Sequence, residues 1–197
     1  MFDYIGEKIR TNVLSTLPWV SRSAGYTEPA KAADSNKFYP GAMPYDGQPC
    51  TDGGDYLNMA PQEGDTALVF VDSDSDVRVI RRNTRFSEIE ALFRVVVWYD
   101  TRKVTVPGDS ANIGLQMALN AGIGAVDFNA EGLQGARVFY YTFSSDAKRI
   151  WSRYGMGVDS DTLFMLPYRT FAITYKLTGR FRPECFTGEI TADENQC

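Results

Sequence analysis

The sequence predicts an α+β fold: an antiparallel or mixed β-sheet with two to three helices packed on it, plus a long irregular arm. Three observations lead there. Segments 86–99, 136–144 and 170–181 alternate apolar with polar or small residues as strands do. Segments 2–17, 109–121 and 146–154 repeat apolar residues at helical spacing. The two kinds of element follow one another without a regular βαβ alternation, so helices on one face of the sheet are expected. The 197 residues suit a single domain. It divides into an N-terminal helix (1–17), an extended loop or arm (18–64), an α+β core (65–182) and a C-terminal tail (183–197).

In the first helix, Ile5, Ile9 and Val13 recur at four-residue steps, Phe2 and Leu17 extend the stripe, and Pro18 ends it. The stripe suits either the domain's own sheet or a neighbouring subunit. From Pro18 to Gly64 the chain is crowded with Gly, Pro, Ser, Asn and Asp, as in Phe38-Tyr39-Pro40-Gly41, so an arm reaching over a neighbour, or a loop on its own domain, is expected. Strands 66–72 and 77–82, joined by the acidic turn Asp72-Ser73-Asp74-Ser75-Asp76, read as a hairpin.

The strand at 86–99 places Ile89, Ala91, Phe93, Val95, Val97 and Tyr99 on one face and Glu88, Glu90 and Arg94 on the other. Val96 and Trp98 make its far end apolar on both faces, which predicts burial on both sides. Asp109 or Ser110 caps a helix to about Ala121, with Ile113 and Met117, and as an alternative Leu115, inward and Gly122 just past its end. Strand signals return at 125–129 and 136–144. Ser145 then caps a helix over 146–154 whose Ile150, Trp151 and Tyr154 pack inward and which stops at Gly155. The last strand, 170–181, carries Phe171, Ile173, Tyr175 and Leu177 on one face.

Composition narrows the function. A formal charge of -5 opposes a general attraction to phosphate backbones, although Arg81, Arg82 and Arg85 form a local basic cluster. Arg outnumbers Lys by 14 to 6, a bias that suits protein interfaces. Apolar runs are far shorter than the roughly 20 residues that span a bilayer, and the amino terminus lacks a signal-peptide layout, so a soluble protein with no membrane partner is expected. Cys50, Cys185 and Cys197 are odd in number and widely spaced, which fits reduced cytoplasmic thiols rather than a disulfide framework or zinc knuckle.

There is no histidine, which removes the Ser-His-Asp and Cys-His nucleophile sets and the commonest general base. No phosphate-cradling glycine loop and no G-x-S-x-G elbow is present. Glu88 and Glu90 share a strand face about 7 Å apart, a spacing known from glycosidases, but a solvated strand face explains them as well. The Asp72, Asp74, Asp76 turn starts like an EF-hand loop, yet position six is Val77 and position twelve Asn83, where that loop needs Gly and a bidentate Glu. Asp159-Ser160-Asp161 is a weaker acidic turn. Trp98-Tyr99, Phe139-Tyr140-Tyr141 and Phe38-Tyr39 supply either a stacking platform or core packing. The expectation is therefore no enzyme, no catalytic, cofactor or metal residue, and no cofactor.

The order of pieces resembles tailed-bacteriophage neck and tail proteins of the tail-terminator or head-to-tail connector kind. The similarity covers residues 66–181: hairpin, long strand Glu88-Ile-Glu-Ala-Leu-Phe-Arg-Val-Val-Val-Trp-Tyr-Asp100, helix, and final strand Phe171 to Phe181, preceded by the N-terminal helix. The arm 18–64 departs from the pattern, and no residue role carries over by position. The resemblance implies a non-enzymatic virion protein, assembled in the host cytoplasm, that forms a homo-oligomeric ring joining capsid to tail. Its partners would be copies of itself and neighbouring portal, connector or tail subunits, with DNA only as passing cargo. The competing class is a carbohydrate-binding or calcium-dependent adhesion module built on the exposed aromatics and the Asp72 turn.

Overall fold

The computed structural model describes residues 1–31, 38–42, 56–73, 75–83, 85–104, 111–130, 133–156 and 162–182. The fold is α+β, a mixed sheet of eight strands with three α-helices. The elements are α1 (Phe2–Asn12), β1 (Arg22–Lys31), β2 (Phe38–Ala42), β3 (Leu57–Asn58), β4 (Ala67–Ser73), β5 (Arg78–Arg82), β6 (Ser87–Asp100), α2 (Ala111–Gly124), β7 (Leu133–Ser144), α3 (Ala147–Trp151) and β8 (Tyr168–Phe181). The sheet order is β3-β2-β1-β4-β6-β8-β7, and β5 also pairs with β6. One contact, β1 with β4, is parallel.

β6 and β8 form the centre, antiparallel in register from Ser87↔Phe181 to Asp100↔Tyr168. Alternation sorts the side chains of β6 as the sequence predicts. Phe93, Val95, Val97 and Tyr99 join Phe171, Ile173, Tyr175 and Leu177 in one core, while Val96 and Trp98 enter a second core on the other face. α1 contributes Ile5 and Ile9 to the first core and α2 contributes Leu115, Leu119 and Ile123. α3 covers the second with Ile150 and Trp151, followed by Tyr154 of a 3-10 turn. Helices therefore lie on both faces, which corrects the one-face expectation. The two covers explain why Ala67 to Val71 is buried without alternation.

The apolar stripe of α1 covers the domain's own sheet. The helix approaches β1 so closely that a Cβ on Gly6 would lie 2.3 Å from the Tyr26 backbone nitrogen.

Five other expectations are corrected. The segment 18–64 is not irregular throughout: it contains β1, β2 and β3, and β1 is inserted between β2 and β4, while 32–37 and 43–55 lie outside the described residues. The hairpin expected between β4 and β5 does not form. Both strands pair with β6, β4 along Phe93–Tyr99 and β5 along Ser87–Glu90, and the hairpin is β5–β6. Its turn is held by the Asn83 carboxamide oxygen, which accepts from the Arg85 and Phe86 amides.

α2 is rotated relative to the expectation. Ile113 and Met117 are 58% and 67% exposed, Leu115 is buried, and Gly122 lies inside the helix, where a Cβ would meet Val13 Cγ1 at 2.6 Å. The inward face is the stripe Leu115, Leu119 and Ile123, and Gly122 beside it leaves room for Val13. Segment 125–129 is no strand, because α2 runs through Gly124. The cap of α3 is Asp146, which accepts from the Arg149 amide, rather than Ser145, and Gly155 ends the following turn at φ 62.

Candidate interaction surface

Directly opposed residues of antiparallel strands point to the same face, so the register defines rows of side chains across the sheet. On the face carrying α3, the rows Phe70–Val96–Ala172 and Leu68–Trp98–Thr170 are buried. Towards the other end of β6, three rows carry no helix among the described residues. They are Leu92–Lys176–Phe139, Arg78–Glu90–Thr178–Arg137 and Arg81–Glu88–Arg180–Gln134. Neighbouring strands stand about 4.8 Å apart, so the four strands form one platform, half-buried at Glu88, Glu90, Leu92, Lys176 and Thr178 and exposed at its sides.

That platform holds the sequence's carboxylate pair. Glu90 is ion-paired with Lys176, and Glu88 lies 4.0 Å from Arg180. Both acids are thus partners of cations on β8. Replacing both by Gln is expected to cost no more than about 1 kcal/mol per pair, as exposed ion pairs do, measurable as a small shift in denaturant midpoint; a larger loss would mean that the acids do more than pair.

Arg78, Arg81, Arg137, Lys176 and Arg180 face these two acids, which leaves the platform basic. The imbalance extends to the whole fold: the described residues hold 19 of the 20 Lys and Arg but 12 of the 25 Asp and Glu. The net acidity of the chain therefore comes from segments outside the described residues, and this was hidden in the overall composition.

The acidic turn is organised around ion pairing. Asp72 is fully buried, accepts from Arg94 Nε and Nη2 at 2.8 and 2.7 Å, and accepts from the Tyr154 hydroxyl at 2.9 Å. Arg153 lies 3.2 Å from the same carboxylate and donates to the Ser73 carbonyl at 2.6 Å. The first oxygen ligand expected of a calcium loop is thus committed to two guanidinium groups. Asp74 and Asp159-Ser160-Asp161 lie outside the described residues, as do Cys50, Cys185 and Cys197. Among the described residues no cluster of three or more His, Cys, Asp or Glu could hold a metal, and no helix is long and apolar enough to cross a membrane.

Two groups of buried ionisable residues set a pH profile. Hydrogen bonds from Arg102 hold the buried Asp100 carboxyl below its ordinary 3.8. Burial, reinforced by the Asp72 charge, raises the Tyr154 hydroxyl above the ordinary 10.0, and burial also raises Tyr175. A depressed acid contributes stability that is complete above its unfolded value and lost as pH falls through the native one. A raised tyrosine contributes stability that is complete below its unfolded value and lost as pH climbs through the native one. The thermal midpoint is expected to fall below pH 3.8 and again above pH 10.0; a midpoint that stayed level across both limits would contradict this assignment.

The sheet is open at its sides. β7 is a terminal strand of the order, paired only with β8 among the described residues, and its Phe139, Tyr140 and Tyr141 are 49%, 53% and 57% exposed. On the other side of the β6–β8 pair, β5 pairs only with β6 among the described residues and exposes all five residues, with Val79 and Ile80 at 51% and 60%. Beside β5, on the face carrying α1, lies an apolar groove of about 460 Å³ whose walls include Tyr4, Val79, Ile89, Leu133 and Phe181. Exposed strand edges invite pairing with another chain, and the three arginines among the five residues of β5 restrict which chain can pair there.

The aromatic clusters divide accordingly. Trp98 and Tyr99 are core residues, whereas Phe139-Tyr140-Tyr141 and Phe38 are surface residues. Arg81, Arg82 and Arg85 are exposed around the β5–β6 hairpin. Sequence reasoning missed the pairing of Asp72 with Arg94, two polar residues on neighbouring strands, and the edge position of β7. No local signal marked the second, since aromatics on both faces of a strand read equally as a strand buried on both sides.

No protein-family model matches the chain, and no curated protein matches it either.

Proposed function

We propose that the chain is a non-enzymatic assembly subunit, and that its setting is the neck or tail of a tailed phage, where copies form a ring that joins capsid to tail around the passing DNA. The observation that carries the assembly reading is the sheet left open along β5 and β7 with large apolar side chains on both strands. Isolated monomers seldom keep such edges uncovered. The arginine bias and the pairing of Glu88 and Glu90 with cations agree with a surface that recognises protein. The phage setting rests on the resemblance in element order.

The test is the native mass of the purified protein and of the particles or lysate that contain it, by light scattering and electron microscopy. Closed rings or incorporation into particles support the reading. A monomer absent from every assembly overturns it. The exposed Phe139-Tyr140-Tyr141 run favours a second reading, a glycan-binding module, whose signature is saturable glycan binding by that monomer.

A further inference from the structure

We propose that β7 of one copy pairs antiparallel with β5 of the next, so that the sheet continues from copy to copy. The inference rests on the assembly reading above and names its interface. Direction comes first. β5 is antiparallel to β6, β6 to β8, and β8 to β7, so β5 and β7 run in opposite senses within one copy. A second copy placed beyond β7 and slid four residues along the strands, from the row of Ile89 to the row of Phe93, presents its β5 antiparallel to that β7, with Val79 beside Tyr140, Arg81 beside Phe139 and corresponding sheet faces on the same side.

The faces then match in chemistry. Tyr140 stands opposite Tyr175, on the side of α1 and α2, and Val79 stands opposite Ile89 on that same side, beside the apolar groove. Continuing the sheet brings the Tyr140 ring towards that groove. On the other face, Phe139 stands opposite Lys176, while β5 presents Arg78 and Arg81. An aromatic ring there meets guanidinium groups, a favourable cation–π arrangement. β5 carries one register irregularity, at Ile80, and β7 carries two, between Gln134 and Arg137 and at Tyr141. Bulges of this kind disfavour indiscriminate edge pairing, so association depends on the matching side chains. Because the two edges differ, the contact is head-to-tail, the type that closes into rings or extends into filaments.

The experiment uses the full chain with Cys50, Cys185 and Cys197 replaced by Ser, carrying either I80C or Y141C, and compares each variant with an oxidised mixture of the two. A disulfide between copies in the mixture and in neither variant alone is the expected result, together with loss of the oligomer in Y140S/Y141S while its circular-dichroism spectrum stays that of the folded wild type. A wild-type oligomer that yields only 80–80 or 141–141 disulfides, or none, overturns the interface and leaves the assembly reading standing. A wild-type monomer at every concentration, absent from particles, overturns both.

Discussion

Replacing Asp72 with alanine is expected to destabilise the protein by about 3–5 kcal/mol, the range for removing one partner of a buried ion pair. The carboxylate is fully buried and serves Arg94, Arg153 and the Tyr154 hydroxyl at once. Its loss takes from Arg94, itself only 9% exposed, its bidentate acceptor. Against a typical total of about 5–15 kcal/mol, that is a large fraction. Asp72→Asn keeps the shape but removes the charge, and falls between wild type and alanine. The double variant D72A/R94A is expected to cost less than the sum of its two single variants, because the cation that lost this acceptor has gone. Chemical denaturation of the four proteins measures the cycle; strict additivity would mean that the pair does not interact as its geometry implies.

The second large effect is steric. Gly6→Ala raises intrinsic helix propensity by about 1 kcal/mol, yet it is expected to destabilise, because the new Cβ meets the Tyr26 nitrogen at 2.3 Å and the Gly25 carbonyl carbon at 2.8 Å. Those are backbone atoms and cannot swing aside. Either α1 lifts from β1, weakening the packing of Ile5 and Ile9, or β1 shifts against β4. Overpacking of this kind costs about 1–3 kcal/mol or more. Gly25→Ala, whose nearest contact is 3.2 Å, is expected to cost less, and Gly124→Ala, with open space around it, to be close to neutral. Thermal midpoints in the order wild type, G25A, G6A from highest to lowest support the close approach; a G6A protein as stable as wild type would refute it.

Strands with plain alternation were legible in the sequence. β6 and β8 each bury one set of apolar residues over their length, so their faces follow from the period alone. The two-sided burial of Val96 and Trp98 followed from the break in that alternation. β1 and β2 were not legible, because their stability comes from position. Pro29 stands opposite Pro40, and Gly25 and Gly41 lie in the same strands. Two residues without an N–H can face one another only where neither has to donate across the ladder, and nothing local marks such a site. The inward face of α2 was misread because the helix carries two apolar stripes, Ile113 with Met117 and Leu115 with Leu119 and Ile123, and only the tertiary packing decides which one is buried. The candidate surface was half visible. The aromatics of β7 and the arginines of β5 stood out, but their placement on opposite sides of one sheet is a property of strand order.

The position of β6 between β4 and β8 has a consequence for how the chain reaches this state. Each residue of β6 finds its β8 partner only after the chain has passed through α2, β7 and α3. β1 must likewise pair with β4 on one side while β2 folds back on the other. Little of the sheet can be secured by neighbours in sequence, apart from the β5–β6 hairpin and the β1–β2 pair, which begins at Lys31 and Phe38. Chains dominated by such distant pairings acquire their structure on the order of milliseconds to seconds rather than microseconds, and stopped-flow refolding is expected to fall in that slower range. During that interval the exposed edges of β5 and β7 are accessible to other chains. A subunit built this way therefore gains from completing its central pair before it meets its neighbours.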